Sequence, residues 1–174
     1  MNPRSPLLET MASLQKTRID CASCTGVCCT FVSNSMQVTP WEAYDMMRDL
    51  VEQGRWNLSL KETLALNVEH YRLDAPVPSD GRRMFSRRTY TCPFFEGKAL
   101  GCSISQDAKP LGCLAFNPTT EGAKEGDGCR SDQDQLQVIE QNLEMNPQGD
   151  LSLPWAKLPI PVALLDLMER FPPS

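Results

Sequence analysis

Four of the protein's eight cysteines lie within nine residues, in the stretch Cys21-Ala22-Ser23-Cys24-Thr25-Gly26-Val27-Cys28-Cys29. The small residues between them favour a tight loop over a long helix. A C-x2-C spacing, as in Cys21 and Cys24, lets two thiolates converge on one metal ion. A disulfide between the adjacent cysteines is not expected, because neighbouring Cα atoms lie about 3.8 Å apart, below the usual disulfide range. The stretch therefore predicts a metal-binding loop.

The other four cysteines lie in the second half of the chain, each beside glycine or proline. Small or rigid neighbours let the backbone approach a metal closely. Eight thiolates suffice for two four-thiolate zinc sites, or for one iron–sulfur cluster with the other thiols structural or on a second ion. Soft thiolates exclude calcium and magnesium, but the spacing does not separate zinc from iron. The predicted metal ligands are Cys21, Cys24, Cys28, Cys29, Cys92, Cys102, Cys113 and Cys129.

Composition limits the class of protein. The chain has 174 residues, 41% hydrophobic and 22% charged, which is typical of one globular domain. A net charge of −5 disfavours nucleic-acid binding, and no apolar run approaches the roughly 20 residues of a membrane helix. The first six residues lack the apolar core of a secretory signal. We therefore expect a cytoplasmic protein with reduced thiols. The alternatives are inert buried thiols, or a disulfide framework in an exported protein.

Capping signals and apolar periodicity predict helices at 40–53, 59–71, 131–144 and 161–171, and a short helix within the first 20 residues. Thr39 and Glu42 form a capping box with Pro40 at the first helical position, and Ser59 and Glu62 form a second box. The apolar stripe of the first of these helices comprises Trp41, Tyr44, Met47, Leu50 and Val51, and that of the second comprises Leu60, Leu64, Val68 and Tyr71. Short strands are predicted at 31–32, 36–38 and 82–91.

These elements predict a helix-rich α+β fold: one small domain with irregular cysteine-rich loops around a metal centre. Residues 1–20 form a lead-in, 21–130 a metal-binding core with two inserted helices, and 131–174 a C-terminal helical extension packing on that core. Nearly forty irregular residues from Cys92 to Arg130 would be unusual without a metal to hold them. The apolar segment at 161–171 is expected to pack on the protein's own core; the alternative is a surface for a protein partner.

Basic residues near the downstream cysteines could offset the negative charge of metal–thiolate centres. They are Arg82, Arg83, Arg87, Arg88, Lys98, Lys109 and Arg130. The four arginines are also compatible with a solvated strand or hairpin, or with a patch for an anion, a nucleic acid or an acidic partner. The single histidine, His70, is expected at the surface or as a cap rather than as a ligand or base. No hydrolase signature and no glycine-rich Rossmann motif for a methyl donor is found, so catalytic residues are not predicted.

Residues 18–130 resemble the zinc- or iron-chelating cysteine-cluster family, whose motif is C-x2-C-x2–3-C-C. The matching segments are Cys21-x2-Cys24-x3-Cys28-Cys29, Cys92-Pro93-Phe94-Phe95, Cys102-Ser103-Ile104-Ser105 and Lys109-Pro110-Leu111-Gly112-Cys113-Leu114-Ala115-Phe116. Ser105, Lys109 and Asn117 depart from the family pattern. The resemblance implies metal binding, and the family includes larger flagellin lysine N-methylases. Three functions stay open: metal binding in a structural, sensing, storage or delivery role; a redox or methyltransferase-like enzyme; and a zinc-stapled interaction module.

Overall fold

The computed structural model describes residues 2–15, 26–76, 87–97, 101–118, 129–131, 133–145 and 157–173. Over these residues the fold is a helix-rich α+β fold, as the sequence predicts. The helices are α1 (Ser5–Gln15), α2 (Pro40–Glu52), α3 (Leu58–Tyr71), α4 (Leu111–Leu114), α5 (Gln133–Met145) and α6 (Ile160–Arg170). The strands are β1 (Gln37–Val38), β2 (Phe116–Pro118), β3 (Cys129–Ser131) and β4 (Leu158–Pro159). No helix in these ranges has the length and apolar character needed to cross a bilayer.

Two antiparallel strand pairs join distant parts of the chain. β1 pairs with β4, with Gln37 opposite Pro159, and β2 pairs with β3, with Phe116 opposite Ser131. Because β1 leads into α2 and β4 leads into α6, the first pair places the starts of these two helices together. α6 then packs against both α2 and α3.

The capping box predicted for α2 is present. The Thr39 hydroxyl oxygen accepts a bond from the Glu42 N–H at 3.3 Å, and the Glu42 carboxylate accepts one from the Thr39 N–H at 2.8 Å. Met47 and Leu50 are buried as predicted, but Val51 is 53% exposed and that part of the stripe prediction is wrong. Successive helical residues are about 100° apart. Val51 therefore lies to one side of a buried face that also includes Ala43 and Met46.

The helix α3 begins earlier than its predicted capping box. Asn57, not Ser59, is the cap, and its side-chain oxygen accepts a bond from the Leu60 N–H at 3.0 Å. Both residues are good cap formers, and the observed cap lengthens the helix by two residues. The predicted apolar face is confirmed: Leu64 is fully buried, and the other three members of the stripe pack partly buried against the core.

The C-terminal helix α6 packs on the protein's own core, as expected. Its buried face comprises Ile160, Pro161, Ala163, Leu164, Leu167 and Met168. The Trp56 indole N–H donates to the Phe171 carbonyl at 2.9 Å and fixes the end of this helix to the turn between α2 and α3. A surface for a protein partner on this segment stays a prediction.

A second, smaller core cluster joins α1, α4 and α5. It comprises Leu7, Met11, Leu111, Leu114, Ala115 and Ile139, all buried. The short helix predicted within the first 20 residues is therefore present and packed. α5 agrees with the helix predicted at 131–144.

Two strand predictions are wrong within the described residues. Residues 31–32 form a turn in which Phe31 is 58% and Val32 67% exposed. Residues 87–91 have no regular structure: the Tyr90 N–H donates to the Asn34 carbonyl at 2.9 Å, but no strand ladder continues that bond. Residues 82–86 lie outside the described residues. The prediction at 36–38 is confirmed by β1.

Candidate metal centre

The described part of the first cysteine loop is a single 3₁₀ turn, Val27–Cys29, preceded by Gly26. Gly26 has φ +71°, a conformation that favours glycine. A Cβ atom here would lie 2.2 Å from the ring of Phe95. The turn therefore needs glycine for two independent reasons, and it packs directly on the loop that follows Cys92.

The adjacent thiols of Cys28 and Cys29 do not form a disulfide, as expected. Their sulfur atoms are 4.0 Å apart, about twice an S–S bond length. All five cysteines with described side chains are free thiols: Cys28, Cys29, Cys92, Cys102 and Cys113. The disulfide alternative therefore finds no support among these five.

Backbone hydrogen bonds bring two further cysteines to the 3₁₀ turn. The Cys92 N–H donates to the Cys29 carbonyl at 2.7 Å. Phe95 forms an isolated antiparallel bridge with Cys102, and the Ser103 N–H donates to the Phe94 carbonyl at 2.9 Å. The chain thus folds back between Cys92 and Cys102, so that Cys92 lies beside Cys29 and Cys102 lies near Cys92.

Cys113 lies on the one-turn helix α4, which two buried polar side chains hold in place. The Glu42 carboxylate accepts a bond from the Leu111 N–H at 2.8 Å, in addition to its capping bonds. The Arg4 guanidinium donates to the Lys109 carbonyl at 2.8 Å. The segment that carries Cys113 is thereby fastened to α2 and to the start of α1.

Four of these thiols act on one another electrostatically, and we call them the thiol cluster: Cys28, Cys92, Cys102 and Cys113. Burial raises the pKa of the Cys92 thiol from 9.0 to about 12, and the charges of Cys102 and Cys28 add to the increase. Hydrogen bonds from the backbone of Phe94 and Phe95 oppose it by stabilising the thiolate.

The thiols of Cys113 and Cys28 also have raised pKa values. Burial raises the pKa of the Cys113 thiol, and charge interactions with Cys92, Cys102 and Cys28 raise it further. For Cys28, the hydrogen bond with Cys29 is the largest cause of the raised pKa, followed by burial. Without metal, the thiols of Cys28, Cys92 and Cys113 are neutral at physiological pH, because their pKa values are raised.

The remaining predicted ligands are incompletely described. Cys21 and Cys24 lie outside the described residues, and of Cys129 only the backbone, in β3, is described. Among the side chains that are described, no group of three or more His, Cys, Asp or Glu residues has an arrangement that could hold a metal ion. The described thiols are thus neighbours, not a closed coordination shell.

Lys109 supplies positive charge to the thiol cluster. The residue is only 6% exposed, and its charge lowers the pKa values of the Cys28 and Cys113 thiols. Arg88, which was also expected to offset thiolate charge, instead donates to the carbonyl of Pro76 at 3.1 Å. Arg87 is exposed, and the side chains of the other four predicted basic residues are not described.

Several residues around the cluster carry no local sequence signal. The buried Tyr90 hydroxyl donates to the Met36 carbonyl at 2.7 Å and accepts from the Ile160 N–H at 3.2 Å, which links the cysteine loops to α6. Burial raises the pKa of this hydroxyl, so it stays protonated. Arg4 and Glu42 likewise contact the segment that carries Cys113 only through tertiary hydrogen bonds.

His70, on α3, is exposed, as expected, and its ring lies 4.5 Å from that of Tyr71.

A donor set of soft thiols, with backbone N–H groups and a buried cation beside it, fits zinc or iron in chemical type. Comparison with models of protein families, with curated proteins and with solved structures finds no match to this chain.

Proposed function

We propose that this protein binds zinc or iron, the latter as an iron–sulfur cluster, through its cysteines, and that it is a member of the cysteine-cluster family it resembles. The observation that supports the proposal is that the thiols of Cys92 and Cys113 lie close enough to Cys28 and Cys102 to interact with them electrostatically, although these cysteines come from separate segments of the chain. Neighbouring buried thiolates need a cation to balance their charge, and a bound metal ion provides it. Cys21, Cys24, Cys29 and Cys129 are proposed to complete the ligand set.

Groups near the thiol cluster favour the thiolate form of its cysteines, which is the form that binds metal. The backbone of Phe94 and Phe95 lowers the pKa of the Cys92 thiol, and Lys109 lowers that of Cys113, so both favour the thiolate form. Bound zinc would contribute folding free energy by closing the loops, and an iron–sulfur cluster would provide one-electron redox chemistry. Structural, sensing, storage and delivery roles are all compatible with this proposal.

The test is anaerobic purification of the full chain, followed by elemental analysis and a visible absorption spectrum. We expect stoichiometric zinc in a colourless protein, or iron in a brown protein that bleaches with air. Folded protein that contains neither metal, and takes up neither Zn²⁺ nor iron on reconstitution, would overturn the proposal.

A cysteine substitution and a matched apolar substitution distinguish the loss of a metal ligand from a general loss of stability. Cys113→Ser is expected to lower the metal content per folded chain, whereas Leu114→Ala, on the same helical turn, is expected to lower stability and leave the stoichiometry unchanged. Leu114 is fully buried, so its truncation costs about 2–5 kcal/mol without removing a thiol. Equal metal content in the two variants would remove Cys113 from the ligand set.

A further inference from the structure

The helix α1 packs on the segment that carries Cys113 and belongs to a core cluster separate from the main one. Its principal contacts are with α4 and β2. Leu7 and Met11 of α1 are buried in one small cluster with Leu111 and Leu114 of α4, whereas the main cluster is formed mostly by α2, α3 and α6. Because α4 is a single helical turn, which is too short to be stable alone, it depends on the packing of α1.

One buried side chain, Arg4, fastens the start of α1 to two neighbouring segments. Its Nε donates to the Lys109 carbonyl at 2.8 Å, and its Nη1 forms an ion pair with Asp45 of α2 at 2.6 Å. The guanidinium also lies 4.3 Å from the centre of the Trp41 ring. Its Nη2 is buried and has no hydrogen-bond partner among the described residues. An unsatisfied buried donor is costly, so it weakens the docked state of α1.

We propose that α1 is a strap that controls access to the thiol of Cys113. When α1 is docked, Arg4 and the small cluster hold α4 in place, and the Cys113 side chain is partly buried. When α1 detaches, α4 loses its apolar partners and the preceding Lys109 carbonyl loses its donor, so the thiol becomes open to reagents in solution.

This detachment is a local opening of the folded protein. The layer of α2, α3 and α6 keeps its own core while α1 is released. The open form is a minor population under native conditions, and unfolding in urea stays a single transition. The strap requires no metal, so it is independent of the proposed function.

Two substitutions should release the strap by different routes. Arg4→Met removes both polar anchors and leaves the acidic partner on α2 unpaired. Met11→Ala removes buried apolar surface from α1 without changing charge. Each should accelerate alkylation of Cys113 by iodoacetamide roughly 10- to 100-fold, because the open form becomes more populated. The control is Arg48→Met, which removes an exposed arginine of α2 and should leave the rate unchanged.

The experiment uses the reduced full chain with EDTA present, so that bound metal does not protect the thiols. Peptide mass spectrometry measures the alkylation rates of Cys113 and Cys92 at several urea concentrations below the unfolding transition. Cys92 packs against the main core, so its rate should follow global unfolding and rise steeply with urea. The rate at Cys113 should rise only weakly, because detachment of α1 exposes little surface.

Faster alkylation of Cys113 in both variants, with a weak urea dependence and an unchanged rate at Cys92, supports the strap. Three results would overturn it. One is an unchanged rate at Cys113 in both variants. Another is an equally steep urea dependence at Cys113 and Cys92, which means that the whole molecule opens at once. The third is wild-type Cys113 reacting as fast as in the urea-unfolded chain. If Arg4→Met does not fold, Met11→Ala carries the comparison, and failure of both to fold shows that α1 is integral to the fold and also overturns the proposal.

Discussion

The layer formed by α2, α3 and α6 and the loops that carry the thiol cluster are held together by different forces. In the helical layer, apolar side chains such as Leu50, Leu64 and Leu164 are fully buried against one another. In the loops, the backbone is held by single hydrogen bonds, such as that from Cys92 to Cys29, and by the packing of Gly26 on Phe95.

The two regions are not independent, because Tyr90, Phe94 and Ile104 insert side chains from the loops into the main core cluster. The difference indicates where stability originates: most side chains of the main core cluster come from the helical layer, and the loops are stabilised by packing a few side chains into it. Metal coordination would make the loops a second source of stability. Substitutions in each region therefore have different expected effects on the free energy of unfolding and on metal content.

The largest expected effect comes from the helical layer, where two leucines of α3 form a matched pair. Leu64 is fully buried and Leu66 is 64% exposed. Leu64→Ala should lower the free energy of unfolding by about 2–5 kcal/mol, because it loses apolar burial and leaves a cavity. Leu66→Ala should change it by less than about 0.5 kcal/mol. Urea titration followed by circular dichroism measures both.

This pair also tests whether the loops depend on the layer. If the loops depend on the helical layer for stability, Leu64→Ala should lower the unfolding midpoint of both regions of the metal-free protein. Circular dichroism of the helices and the reactivity of the thiols should then report the same single transition. Separate transitions would show that the loops fold on their own and would contradict the comparison.

The helical layer was predictable because its signals are local. Thr39, Pro40 and Glu42 lie within four residues and define the start of α2 without reference to the rest of the chain. The cap of α3 was missed by two residues because Asn57 and Ser59 both satisfy the local rule for a cap residue.

The candidate site was predictable in its residue types but not in its geometry. Counting cysteines identifies the donors, whereas the approach of Cys28 to Cys113 depends on tertiary packing between residues 85 positions apart in the sequence. The burial of Lys109 and the bond from Glu42 to Leu111 likewise have no local signal. Long-range polar contacts of this kind require the fold before they can be inferred.

A smaller effect is expected in the loops, where two glycines share a conformation but not an environment. Gly26 and Gly54 have φ values of +71° and +67°, and a Cβ would clash with the Phe95 ring only at Gly26. Gly26→Ala should therefore cost about 2–4 kcal/mol, from strain plus overpacking. Gly54→Ala should cost only about 1 kcal/mol, from strain alone. Thermal unfolding of the reduced, metal-free proteins gives the difference.

The metal content of the same two variants tests whether the turn at Gly26 positions metal ligands. Gly26→Ala displaces the turn that carries Cys28 and should reduce metal uptake, whereas Gly54→Ala lies between α2 and α3 and should not. Equal uptake by both would mean that the turn adapts to the added methyl group without moving its cysteines.

The smallest effect, counted per pH unit, is a dependence of metal-free stability on alkaline pH, and the thiols that cause it lie in the loops. The folded-state pKa of Cys92 is raised from 9.0 to about 12, so above pH 9 the unfolded chain loses this proton while the folded protein keeps it. Stability contributed by the neutral thiol is therefore complete below pH 9 and is lost as the pH rises through about 12. The slope should be at most about 1.4 kcal/mol per pH unit for each such thiol. Urea unfolding of the reduced, metal-free protein across this range, with Cys92→Ser as the control, measures it. A slope that is the same in Cys92→Ser as in the wild type would mean that the alkaline loss comes from other groups.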